Sequence, residues 1–214
     1  MSQPLPDGFL WGNSTSSMQT EGGVNEGGKG PSVYDVRPAS ADASDWTVAI
    51  DEYHRYEEDL DLMQQAGMNA YRFQISWSRV CPTGDGAFTE DGIAFYRQQI
   101  KALRQRGITP MVCLYHFDMP LSLAKRYNGF MSRHVVDAFV RFAKRMIDEF
   151  AAQVPYWLTF NEQNLYFGSG AFDIAGYHHG ERSLQAIYTI NHHVMVAHAR
   201  VANYLHDTTT AQIG

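Results

Sequence analysis

A chain of 214 residues, 44% hydrophobic and 19% charged, is long enough to bury a sizeable core in one domain. Its formal net charge of -6 argues against a nucleic-acid partner. No apolar run approaches the roughly 18 residues of a membrane span, and "MSQPLPDGFLWG" lacks the basic-then-apolar order of a secretory leader, so a cytoplasmic location is expected.

In chain order, "FLWG" (9–12) is predicted as a first short strand. Residues 13–50, rich in Gly, Ser and Asp, form a long loop of the kind that usually carries function. "DEYHRYEEDLDLMQQAG" (51–67) reads as a helix with Tyr53, Tyr56, Leu60 and Met63 inward. "NAYRFQISW" (69–77) is a predicted strand and 89–107 a helix, with Ile93, Tyr96, Ile100 and Leu103 in one stripe ended by Gly107. "TPMVCLYH" (109–116) is a near-continuous apolar run, the pattern of a strand covered on both faces. The helix over 132–151 takes Ser132 as N-cap and buries Val136, Phe139, Ala143, Met146 and Phe150. "YWLTFNE" (156–162) is the fourth strand, 181–207 a helix carrying Leu184, Ile187, Val194, Val201 and Leu205, and "AQIG" opens a fifth strand. Four βα units of about 40–45 residues predict a parallel sheet with right-handed crossovers, the pattern of an α/β barrel.

The active end of such a barrel is where its strands finish. That rule gathers Gln19 and Glu21 after the first strand, Arg72, Trp77 and Arg79 at the second, His116 and Asp118 at the third, and Asn161 and Glu162 at the fourth. Amides, an imidazole and a carboxylate among aromatic side chains suit the hydroxyls and apolar faces of a sugar. A rim glutamate whose protonated form is favoured by burial or by a neighbouring negative charge can serve as a general acid. Taken singly, Glu162 reads as a solvated or salt-bridged strand-end residue, Gln19 as a loop-ordering amide and His116 as a satisfied core histidine. Tyr115 and Phe117 flank His116 and read as core. Cys81 and Cys113 have no CxxC spacing and read as free thiols; His178-His179 and His192-His193 lack an acidic partner, so no metal site is expected. "GGVNEGGKG" (22–30) lacks the Lys-Ser/Thr ending of a phosphate loop, which disfavours an unrelated phosphate-handling barrel enzyme.

Five segments taken together, "FLWGNSTSSMQTEG", "YHRYEEDLDLM", "YRFQISWSRV", "LYHFDMP" and "TFNEQN", resemble the N-terminal half of glycoside hydrolase family 1, the β-glucosidase family, in the family's order. The resemblance runs from Phe9 to the end of the chain. It implies a (β/α)8 barrel of retaining β-glycosidases, here its first four βα units, with no cofactor. It assigns Glu162 the role of general acid/base, Gln19, His116 and Asn161 hydrogen bonds to the sugar, and Arg72 a place beside the nucleophile. His116-Phe117 stands where most plain β-glucosidases read His-Trp, and Asn161-Glu162-Gln163-Asn164 where they read Asn-Glu-Pro. Both differences look more like the branch acting on 6-phospho-β-glycosides.

Retaining hydrolysis needs a second carboxyl about 5–5.5 Å from the first. In the family it follows the seventh strand, in an ENG-like motif, and nothing in this sequence matches it. The chain is therefore expected to be one segment of a longer barrel, with residues such as Phe73, Val112 and Leu158 left without partners on the inner face. The alternative is a catalytically inactive half-barrel that self-associates, two copies closing a pseudo-barrel about a two-fold axis.

Overall fold

The computed structural model describes residues 5–42 and 45–214. Five strands form one fully parallel sheet in sequential order: β1 (Gly12–Ser14), β2 (Ala70–Gln74), β3 (Thr109–Tyr115), β4 (Tyr156–Phe160) and β5 (Gln212–Ile213). Helices α1 (Ser17–Thr20) and α2 (Glu52–Gln65) follow β1; α3 (Trp77–Val80) and α4 (Glu90–Gln105) follow β2. Then come α5 (Leu121–Tyr127) and α6 (Arg133–Phe150) after β3, and α7 (Ala171–Ile174) and α8 (Leu184–Thr208) after β4. Among the described residues no helix is long and apolar enough to cross a membrane.

Sequence periodicity accounts for the helix layer. The predicted stripes of α4 and α6 are buried throughout, and the Ser132 hydroxyl caps α6 by accepting from His134 N at 3.2 Å. Between α6 and the sheet lies an aromatic cluster in which Phe139 touches Trp77, Tyr115, Phe130, Phe142 and Phe160 with ring centroids 4.8–6.2 Å apart. Each such ring contributes about 1.5–3 kcal/mol by leaving water.

Four expectations are corrected. The first strand begins at Gly12, not Phe9. The Asn69 amide instead takes the Phe9 carbonyl (2.9 Å) and the Trp11 N–H (2.6 Å), so these groups do not enter the ladder. A Cβ at Gly12 would lie 1.8 Å from the Ala70 carbonyl oxygen, so only glycine admits the close approach. Second, the strand read to residue 77 stops at Gln74, and Trp77 turns inward onto Phe142, its Nε1 donating to Gly84 O at 3.1 Å. Third, Leu184 is exposed, because the buried stripe of α8 starts at Ala186 and a two-residue step turns a helix by about 200°. Fourth, Phe73 and Val112 do not lack partners. Strand alternation turns Tyr71, Phe73 and Ile75 toward the helices, where Phe73 stacks on Tyr96, and leaves Arg72 and Gln74 for the other face. Leu158 alone of the three is half-buried.

The long loop after β1 is pinned to the sheet. Gly30 N donates to Ser78 O, Val33 N to Met119 O and Leu121 N to Pro31 O, each at 2.9 Å. The strongest anchor is Arg79, expected on the rim but wholly buried. Its Nε donates to the Glu21 carboxylate and its Nη2 to Gly22 O, both at 2.9 Å, Nη1 reaches the carbonyls of Gly23 and Glu26, and the guanidinium lies over the Tyr53 ring. Tyr96 donates its hydroxyl to the same carboxylate. Removing one partner of a buried pair strands the other's charge. Arg79→Ala is expected to lower the unfolding free energy by about 3–5 kcal/mol, read from urea midpoints. A loss below about 1 kcal/mol would mean that water takes over the Glu21 carboxylate.

Candidate functional site

The site is built where β2, β3 and β4 end. Register places Arg72 of β2 beside Met111 and Tyr115 of β3 beside Phe160 of β4, so the three carboxyl ends finish together. Asn161 adds one more ladder bond, its N–H donating to Tyr115 O at 2.9 Å, and its side-chain oxygen then accepts from Arg72 Nη2 at 2.8 Å. Two sequence-predicted residues 89 positions apart thus meet directly.

At Glu162 the backbone turns left-handed, with φ 44° and ψ 54°. That conformation costs a non-glycine residue on the order of 1–3 kcal/mol and persists because the surroundings enforce it. Asn161 is held by the ladder on one side. On the other a 3-10 turn over Gln163–Phe167 begins at once, closed by Leu165 N donating to Glu162 O at 2.9 Å. The effect is to lift the Glu162 side chain off the strand into an exposed position, where it makes no hydrogen bond or ion pair with the other described residues.

His116 follows β3 directly, with the Phe117 ring edge-on at 4.9 Å. Burial, aided by the nearby Arg72 guanidinium, pushes the His116 imidazole down to about 4, so the ring is neutral at pH 7. His116 Nδ1 and Arg72 Nε are buried without a partner among the described residues, an open donor–acceptor set beside the Arg72–Asn161 contact. Phe117 is left-handed, with φ 73°. Gln19 lies exposed on α1, its Oε1 accepting from the Ser16 hydroxyl at 2.7 Å.

Four expected rim groups are interior instead. Trp77 is core, and Glu21 with Arg79 forms the anchor of the long loop. Asp118 is buried, bonded by the Ser17 hydroxyl at 2.9 Å and by the Gln74 amide. Ser17 and Gln74 went unread in the sequence; the one signal was a lone glutamine inside an otherwise apolar strand end. An acid the sequence reading missed is Glu52, buried at the start of α2 among Thr20, Tyr71 and Gln99, with burial raising its carboxyl. Among the described residues no three His, Cys, Asp or Glu side chains converge to hold a metal ion.

The sequence model described as Glycosyl hydrolase family 1 matches residues 1–214. This chain belongs to that family. It is 39% identical over 211 residues to β-glucosidase 25 of Oryza sativa subsp. japonica, covering 91% of this chain and 42% of the rice protein. It is likewise 39% identical over 202 residues to an aryl-phospho-β-D-glucosidase of Bacillus subtilis (strain 168), covering 92% and 42%. Among solved structures, a β-glucosidase from Thermotoga maritima in complex with castanospermine superposes with a TM-score of 0.87 at 32% identity, over 98% of this chain and 48% of that one. The chain thus spans less than half the length of these relatives, and its five-stranded parallel sheet is a partial (β/α)8 barrel.

Two groups make stability pH-dependent in opposite senses. Burial raises the Asp118 carboxyl from its usual 3.8 to about 7, against the pull of its hydrogen bonds. Between those values the unfolded chain releases a proton that the folded chain keeps, so stability falls as pH rises. His116 does the reverse: the folded ring stays neutral down to about 4 while the unfolded ring protonates below 6.5, so stability rises with pH over that window. Asp118→Asn removes only the falling contribution. Its denaturation midpoint is expected to gain on the native one from about pH 4 to about 7 and to run parallel above. A gap constant with pH would show that Asp118 is ionised in the folded protein.

Proposed function

We propose that this chain forms the acid/base half of a retaining β-glycosidase site. Glu162 protonates the leaving oxygen and afterwards, as a carboxylate, draws the proton from the water that releases the sugar. Gln19, His116 and Asn161 hold the sugar hydroxyls, the neutral His116 ring being able to donate from one nitrogen and accept at the other. Arg72 stands beside the second carboxylate, the nucleophile, which comes from protein outside these 214 residues. The first half of the barrel is one domain, 1–214, closed by that remainder. In support, Ile50 and Leu62 lie exposed on a groove of about 370 Å³ between β1 and α2, an apolar flank suited to cover by further helices.

The observation that carries the reading is the direct Arg72–Asn161 hydrogen bond one residue before Glu162. It joins the residues expected at the nucleophile and at the acid into one rim. Relatives named β-glucosidase and aryl-phospho-β-D-glucosidase support a β-glucoside as substrate. Phe117 and Asn164 favour its 6-phosphate. No metal or cofactor enters this chemistry.

The test uses the full-length protein that carries this chain, with nitrophenyl β-glucoside and its 6-phosphate as paired substrates. Turnover of the phosphorylated substrate is expected to exceed that of the plain one. Glu162→Ala is expected to cut kcat by about 10²–10⁴-fold with a poorly activated leaving group, and added azide to restore turnover of the nitrophenyl substrate as the glycosyl azide. Retention of full activity by Glu162→Ala would remove the acid/base assignment.

A further inference from the structure

A buried ring of three side chains joins α1 to the ends of β2 and β3. The Ser17 hydroxyl lies 2.9 Å from both Gln74 Oε1 and Asp118 Oδ2, Ser17 N donates to Gln74 Oε1 at 3.1 Å, and the Gln74 amide nitrogen donates to Asp118 Oδ1. Each member stands two residues from a group on the candidate rim: Ser17 from Gln19, Gln74 from Arg72, and Asp118 from His116. The ring adds side-chain bonds between α1 and the ends of β2 and β3, strands that the sheet already pairs.

We infer that Asp118 is a positioning residue for the sugar-binding rim, fixing Gln19, Arg72 and His116 relative to one another through Ser17 and Gln74. The inference rests on the function proposed above. Counting protons shows which form of Asp118 does this best. Ser17 has one hydroxyl proton and two acceptors within reach. An ionised Asp118 competes with Gln74 for that proton, and one contact is lost. A protonated Asp118 donates from Oδ2 to Ser17 Oγ, Ser17 donates to Gln74 Oε1, and the Gln74 amide donates back to Oδ1. Each of the three side-chain contacts of the ring then has one donor and one acceptor, which favours a buried polar network.

Of the charged and titratable groups around Asp118, Lys29 favours its ionised form, and burial outweighs that pull. From the loop after β1 come Lys29, already paired with Asp35, and Tyr34; from β3 come Cys113 and Tyr115. α1 offers only the Ser17 hydroxyl, and the segment after β2 offers Ser76. Lys29 is shared with Asp35, and burial outweighs its pull and leaves the acid protonated near neutrality.

The experiment compares native full-length protein with Asp118→Ala and Asp118→Asn from pH 5 to 9. It follows backbone amide exchange over residues 15–21 and kcat/KM on the two nitrophenyl glycosides. In Asp118→Ala, exchange over 15–21 is expected to rise by about tenfold, and kcat/KM to fall by about tenfold or more as the rim loses register. Asp118→Asn keeps a donor toward Ser17 and an acceptor toward Gln74. It is expected to recover protection and most of the kcat/KM, and to lack the loss of protection that native protein shows as pH passes about 7. Unchanged protection in Asp118→Ala, or a native pH response persisting in Asp118→Asn, overturns the inference. Should Asp118→Ala fail to fold, the pH comparison of the other two proteins decides alone. Absence of turnover in every protein, with the exchange pattern as expected, sinks the glycosidase reading and leaves the positioning ring standing.

Discussion

Everything in this chain that bears on chemistry depends on the parallel register of β2, β3 and β4. Parallel ladders align strand ends of one polarity, so that Arg72, His116 and Asn161, separated by dozens of residues, finish on one rim. A one-residue slip of β2 would turn the Arg72 face toward the helices and the Phe73 face into the rim. Helix packing makes such a slip costly, because Tyr71, Phe73 and Ile75 are buried against the helix layer.

The rim is stiffened by buried polar groups that do no chemistry themselves. Glu21 with Arg79, Thr20 with Glu52, and Ser17 with Asp118 and Gln74 all join the segment after β1 to elements dozens of residues away. A loop as long as residues 15–51 has a large entropy to lose. Apolar contacts alone order such a loop in many equivalent ways. Ion pairs and hydrogen bonds in a dry interior select one, because any other leaves a charge or donor unmatched.

How far the sequence could be read depended on the kind of signal. Periodicity gave α4, α6 and most of α8 within a residue or two, because their stripes are long and uninterrupted. It failed at Leu184, where an apolar residue at a helix start sits off the stripe, and at Phe9–Trp11, where Asn69 captures backbone groups that a pattern assigns to a strand. The rule about strand ends gathered Arg72, His116, Asn161 and Glu162, which lie together at the strand ends, and also drew in Trp77, Arg79 and Asp118. These share the rim's place in the chain but point into the protein. Nothing local distinguishes an arginine that faces a ligand from one that grips three carbonyls and a carboxylate; that difference lies in the partners a distant loop brings.

The left-handed backbone at Phe117 narrows the alphabet at that position in a particular way. Branched β-carbons clash in that conformation, so valine, isoleucine and threonine are disfavoured before any contact is considered. Glycine would relax the turn but remove the ring whose edge rests on His116. What remains is a choice among flat, unbranched aromatics, which exchange there at little cost to the chain. Residue 117 is therefore a point where the ring beside His116 can change while the scaffold beneath it stays as it is.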